Sequence, residues 1–213
     1  MELTLPKENI LKLLVKQLNN FFEISEEDIR ALDSCMDEVL NKCEYNFAHS
    51  DNKYYKTQEG VVRFDACHSV QWMTFLYYMS NILYEWKSGN GLCDKVYYLN
   101  KIMNGVDLFY AIELPSIFSA EHPLGTIMGR AEYGDGFFFY QGCTVGGERD
   151  KEGNLYYPKI GNNVRMYAHS AIIGKCVVGD NAQIGAGAIV KNQDVPANSI
   201  VFGQSPNLII KLR

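Results

Sequence analysis

The stretch that decides the fold reads Ile160-Gly-Asn-Asn-Val-Arg-Met166-Tyr-Ala-His-Ser-Ala-Ile172-Ile-Gly-Lys-Cys-Val-Val178-Gly-Asp-Asn-Ala-Gln-Ile184-Gly-Ala-Gly-Ala-Ile-Val190. A large apolar side chain returns at every sixth residue without a break. Glycine follows it at 161, 179 and 185, and four places on stands a mostly small residue: Val164, Ser170, Cys176, Ala182 and Ala188. A period of six matches neither a helix nor an ordinary hairpin strand. It matches a solenoid in which each repeat supplies one short strand and one turn. The apolar residues then point inward, the small ones fill tight inside corners, and glycine suits the turn backbone.

Outward from this stretch the period changes. Before residue 112 apolar residues recur at helical spacing: Ile10, Leu11, Leu14 and Leu18, then Ile29, Leu32, Met36, Val39 and Leu40. A third run, Cys67 to Trp86, is apolar or aromatic on most sides, as in a buried helix. A fourth helix is expected from Asp94 to Tyr110, after the break at 87–91. Ser25 followed by Asp28 marks a helix start, and segment 44–63 reads as loop and short turns. The expected fold class is α+β, with a helical domain over 1–111 and a parallel β-helix of hexapeptide repeats over 112–213. Two irregularities interrupt the sixes. Met128 to Val145 is one residue short of three repeats, which predicts a deletion in one coil. Val145 to Ile160 spans fifteen residues, so 147–157 is expected to leave the coil as a loop.

Composition narrows the chemistry. A net charge of −5 and a pI near 5.4 argue against a nucleic-acid or anionic-membrane surface. No apolar run approaches the length of a membrane span, and the N-terminal segment reads as an amphipathic helix, not a signal peptide. The six cysteines form no Cys-x-x-Cys pair, so free thiols and a cytoplasmic setting are expected, and no metal site.

Three segments carry a family likeness. His122-Pro-Leu-Gly-Thr-Ile-Met-Gly129, Gln141-Gly-Cys-Thr-Val-Gly-Gly147 and Pro158-Lys-Ile-Gly161 resemble, in order, motifs of the serine acetyltransferases among the hexapeptide-repeat acyltransferases. Ala66-Cys-His68-Ser-Val-Gln71 is similar to that family's helical-domain motif, and the likeness runs over roughly 50–210. It implies a left-handed β-helix, assembly as a homotrimer or a dimer of trimers, and acetyl-CoA as the acyl donor. One departure stands out. Where the family has Arg-His before Pro-Lys-Ile, this chain has Tyr156 and Tyr157, which removes a cationic partner for an acceptor carboxylate.

The likeness assigns roles residue by residue. His122 stands at the position of the catalytic base, since transfer to a hydroxyl needs a group of near-neutral pKa to take the proton. Glu113 is the candidate acid that fixes its tautomer. Glu121, Asp51, Tyr156 and Tyr157 are candidate acceptor contacts, and Gly147, Ala168 and Ala186 candidate contacts of the acyl-CoA arm. Lys211 or Arg213 are within the tail that would meet its phosphates. His169 reads as groove lining, and His68 as a helix cap or packing residue. The expected reaction is O-acetylation of a small acceptor, a sugar hydroxyl in preference to L-serine. N-acetylation of an amino sugar and a non-catalytic trimeric scaffold are the alternatives.

Overall fold

The computed structural model describes residues 1–87 and 91–213, so most of the expected break at 87–91 lies outside the described residues. The chain divides into two compact units: Met1–Asn104 with Phe109–Ala111, and Gly105–Leu108 with Ile112–Arg213.

The first unit holds α1 (Lys7–Asn19), α2 (Glu26–Ala48), α3 (Ser69–Glu85) and α4 (Leu92–Asn104). Ser25 starts α2 with a capping box: its Oγ accepts from the Asp28 N–H at 3.1 Å, and Asp28 Oδ2 accepts from the Ser25 N–H at 3.0 Å. α2 runs further than expected, through Ala48, because Cys43, Asn46 and Phe47 continue its buried face. α3 is buried from Gln71 to Leu83, and His68 caps it, with Nδ1 accepting from the Gln71 N–H at 3.4 Å. Burial pushes the His68 imidazole below its usual pKa. The fourth helix ends at Asn104, six residues before the expected Tyr110. Gly105 takes the left-handed φ of +62° that closes a helix, and Val106–Leu108 becomes a strand with Val106 and Leu108 buried.

The second unit is a parallel β-helix with three sheets. Sheet I stacks Val106–Leu108, Thr126–Met128, Thr144–Gly146, Ala171–Ile173 and Ile189–Lys191. Sheet II stacks Phe118–Ala120, Phe137–Phe139, Arg165–Met166, Gln183–Ile184 and Ser199–Phe202, closed by antiparallel Ile209–Leu212. Sheet III stacks Glu132–Tyr133, Lys159–Ile160 and Val177–Val178. The six periodic residues from Ile160 to Val190 are all buried, as are Val164, Ser170, Cys176, Ala182 and Ala188.

The glycines after the apolar positions have a different cause from the expected one. Gly161, Gly179 and Gly185 do not adopt positive φ. A Cβ there would meet the next coil: Asp180 N at 2.8 Å from Gly161, Ala197 Cα at 2.7 Å from Gly179, Val201 O at 2.7 Å from Gly185. Close approach of stacked backbone selects them. The missing residue between Met128 and Val145 falls in the corner between Met128 and Tyr133, which are in register with Val145 and Ile160.

Candidate active site

His122 stands in the corner that leads from sheet II to sheet I. Register fixes its frame: Ala120 pairs with Phe139, and Met128 with Val145. The corner from Ala120 to Met128 therefore takes eight residues, where Phe139 to Val145 takes six. The two extra residues bulge outward. Buried Pro123 anchors the bulge, the Leu124 N–H donates to the His122 carbonyl at 2.8 Å, and His122 and Gly125 take φ of +50° and +71°. A left-handed backbone under a histidine costs about 1–2 kcal/mol. The imidazole is exposed and forms no hydrogen bond or ion pair among the described residues.

The same corner stacks coil upon coil. Glu121 lies below Tyr140 and Tyr167, each the first residue after a register position of sheet II. Burial first, then the neighbouring Glu121 carboxylate, raises the Tyr140 phenol above its usual pKa. The Tyr140 and Tyr167 rings stack at 5.6 Å and 15°. Ala168 and Ala186 occupy adjacent coils of this corner, where the Gly187 N–H donates to the Ala168 carbonyl at 2.9 Å. They make a short strip of small residues on two adjacent coils, and Gln141 takes the same place on the coil between Ala168 and the His122 corner.

Other expected residues lie elsewhere. Gly147, Tyr156 and Tyr157 sit past the far end of Thr144–Gly146, at the opposite edge of sheet I from the His122 corner. The 147–157 loop is a hairpin, Glu148–Arg149 pairing antiparallel with Leu155–Tyr156. Asp150 closes its tip: Oδ1 accepts from the N–H groups of Glu152 and Asn154, both at 2.9 Å. The Asn154 side chain, bonded to Asp150 Oδ2, leads in holding that carboxyl below its ordinary pKa. At the base, Glu148 takes Lys191 Nζ at 2.6 Å and Asn192 Nδ2 at 2.5 Å, and these two bonds lower its pKa. Lys175 Nζ lies 4.8 Å from the centre of the Tyr156 ring. Gly147 is glycine because a Cβ would meet the Tyr157 ring at 2.7 Å.

Glu113 is exposed in the segment ahead of Phe118–Ala120, and no hydrogen bond or ion pair joins it to His122 among the described residues. Asp51 is exposed in the helical unit. Sequence reasoning passed over one carboxylate. Asp107 projects from the outer, half-exposed side of Val106–Leu108, paired with Ile127 in the strand that leaves the His122 turn. The Val-Asp-Leu alternation after Gly105 was the available signal, hidden by reading a helix through Tyr110. Among the described residues no cluster of His, Cys, Asp or Glu could hold a metal ion, and no helix is long and apolar enough to cross a membrane.

Comparison with known proteins adds to this geometry. Residues 157–192 match the family described as bacterial transferase hexapeptide (six repeats). A serine acetyltransferase of Synechococcus elongatus is 33% identical over 107 residues, 50% of this chain and 43% of the relative. One from Helicobacter pylori is 30% identical over 116 residues, 54% of this chain and 67% of the relative. The matched stretch thus spans less than half of the first relative and two thirds of the second. The solved structure of a serine acetyltransferase in complex with CoA shares the fold, with a TM-score of 0.69 at 18% identity over 95% of this chain and 83% of its own.

Proposed function

This chain belongs to the serine acetyltransferase family of hexapeptide-repeat acyltransferases, and from that premise we propose that it transfers an acetyl group from acetyl-CoA to a hydroxyl of a small acceptor, with His122 as general base. The observation that carries this is the outward-bulged corner, where an exposed imidazole stands on the same corner of the coil as Ala168 and Ala186, two coils from Ala168. The acceptor hydroxyl attacks the thioester carbonyl as His122 takes its proton. The imidazolium then returns that proton to the departing CoA sulfur. The small residues let the pantetheine arm lie close to the coil backbone, whose peptide groups offer hydrogen bonds to its amides.

An acid is needed to orient the imidazole and steady its charge. Glu113 is one candidate and Asp107 the other, favoured by the strand pairing that carries it beside the His122 turn.

The acceptor is taken to be a neutral sugar hydroxyl in preference to free serine. Tyr156 and Tyr157 offer ring faces and phenols to a sugar, but no cation to a carboxylate. Because the hairpin and His122 lie at opposite edges of sheet I, a pocket using both draws them from two copies of the chain. This supports a homotrimer of left-handed coils, and light scattering should give a mass that is a multiple of three chains. L-serine is the second reading, favoured by the relatives, which are serine acetyltransferases.

The test is thiol release from acetyl-CoA with serine, homoserine and nucleotide-linked sugars as acceptors. Turnover with a sugar at least tenfold better than with serine is expected, and His122→Ala should lower it by roughly two to four orders of magnitude. Wild-type rates in that variant would remove His122 from the mechanism. Robust acetylation of serine with no sugar accepted would restore serine as the substrate.

A further inference from the structure

Six non-glycine residues of the β-helical unit have positive φ. Four are asparagines, the residue type that best tolerates this region after glycine: Asn163, Asn181, Asn192 and Asn198. The two others are His122 and His169, at +50° and +59°, and both lie on the corner between sheets II and I. In that stack His169 fills a place that other coils give to glycine. Gly142 donates its N–H to Leu124 O, His169 to Gln141 O and Gly187 to Ala168 O, each at 2.9 Å, and Gly142 and Gly187 have φ of +65° and +70°.

The His169 ring leans over Gly142: a Cβ at 142 would collide with Nδ1 and Cε1 of the imidazole. Absence of a side chain at 142 thus admits the ring one coil nearer to His122, a step of about 4.8 Å along the stack. His169 also changes the shape of the strip. At Ala186 the flanking residues are Gly185, over which the Phe202 ring lies, and Gly187, beside which the strip is open. At Ala168 the flanks are Tyr167, stacked on Tyr140, and His169. A narrow ligand arm lying on the two alanines therefore passes between a phenol ring and an imidazole as it nears the reacting corner.

We infer that His169 is a second working imidazole of this corner, which holds the pantetheine arm of the acyl donor through a hydrogen bond from its ring N–H to an amide carbonyl of that arm. The inference rests on the acetyl-CoA reading above and names a donor-binding residue for it. A neutral imidazole presents one donor and one acceptor, which matches a secondary amide and gives no advantage to a charged group. A strained backbone under a side chain that no neighbour requires fits a ligand-binding role, since glycine or asparagine would satisfy the fold at this turn.

The test compares His169→Gly and His169→Asn with the wild-type chain, using His122→Ala as the control for the reaction. Glycine is at ease at this φ, so His169→Gly should melt at a higher temperature than wild type. The same variant should raise the KM for acetyl-CoA, and the calorimetric Kd for CoA, by about three- to tenfold, with kcat and the acceptor KM little changed. Asparagine, which tolerates the backbone and keeps an N–H donor, should recover most of the lost affinity. Unchanged CoA affinity in His169→Gly overturns the inference, whatever the catalytic result. A collapse of kcat with unchanged CoA affinity would overturn it too, by giving His169 a role in the chemical step. If His122→Ala keeps full activity while His169→Gly weakens CoA, the failure lies with the proposed base and not with His169. Wild-type protein that binds no CoA would sink both.

Discussion

The Gly125 N–H donates to the Gly105 carbonyl over 2.8 Å, and this bond ties the turn bearing His122 to the strand bearing Asp107. Gly105 ends a helix of one unit and begins the first strand of the other, so the carboxylate reaches the coil in the same step that ends α4. If Asp107 orients the imidazole, Asp107→Asn should lower kcat by at least about tenfold, with Glu113→Gln near wild type. Loss of the carboxylate should also shift the acid limb of the kcat/KM profile to lower pH, because the imidazolium loses its stabilising charge. A full pH–rate series on both variants checks this. The reverse ranking would assign the role to Glu113.

The 147–157 hairpin is held at its tip by Asp150 and at its base by Glu148, Lys191 and Asn192. Such a clamp presents Tyr157 in one place instead of closing over a ligand as a lid. Tyr157→Ala should raise the acceptor KM more than the acetyl-CoA KM. Glu148→Gln should speed amide hydrogen exchange in 148–156 while leaving exchange in the coil core unchanged. Equal exchange in both proteins would show that the ion pair does not hold the hairpin.

Stacked backbone makes two glycines of the coil unequal. Gly179→Ala would drive a Cβ to 2.7 Å from Ala197 Cα, and overpacking of this kind costs about 1–3 kcal/mol. Gly146→Ala meets nothing within 4 Å and needs no positive φ, so its effect should stay within about 0.5 kcal/mol. Urea unfolding of the two variants measures the difference.

Asp28 makes the helical unit sensitive to acid. Burial works against its charge, but the Ser25 backbone N–H and the Lys95 ammonium, 3.3 Å away, hold its carboxyl below the ordinary value. A carboxyl with a depressed folded pKa contributes stability that is present above the unfolded value, about 3.9, and is lost as pH falls through the folded one. The urea midpoint of wild type should therefore drop more than that of Asp28→Asn between pH 7 and pH 3. Parallel curves for the two proteins would remove Asp28 from the acid response.

By itself the sequence determined the repeat and the places where it breaks. A solenoid writes its core into short, regular spacing, so the sixes from Ile160 to Val190 report which side chains point inward without any knowledge of partners. The loop at 147–157 was legible for the same reason, as an interval that is not a multiple of six. Local capping showed at Ser25 and Asp28 because both partners lie within one turn. Tertiary structure alone decided what depends on residues a whole coil apart. That Gly179 is glycine because of Ala197, that Gly142 is open for His169, and that Glu121 meets Tyr140 all follow from stacking, which adds contacts at separations no local pattern encodes. Asp107 was hidden more deeply. Its strand is only three residues long and has no partner within its own stretch of chain, so its pairing with Thr126–Met128 becomes visible only when the coil closes beside it. The candidate base belongs to a local motif, whereas the company it keeps is set by the winding of the chain.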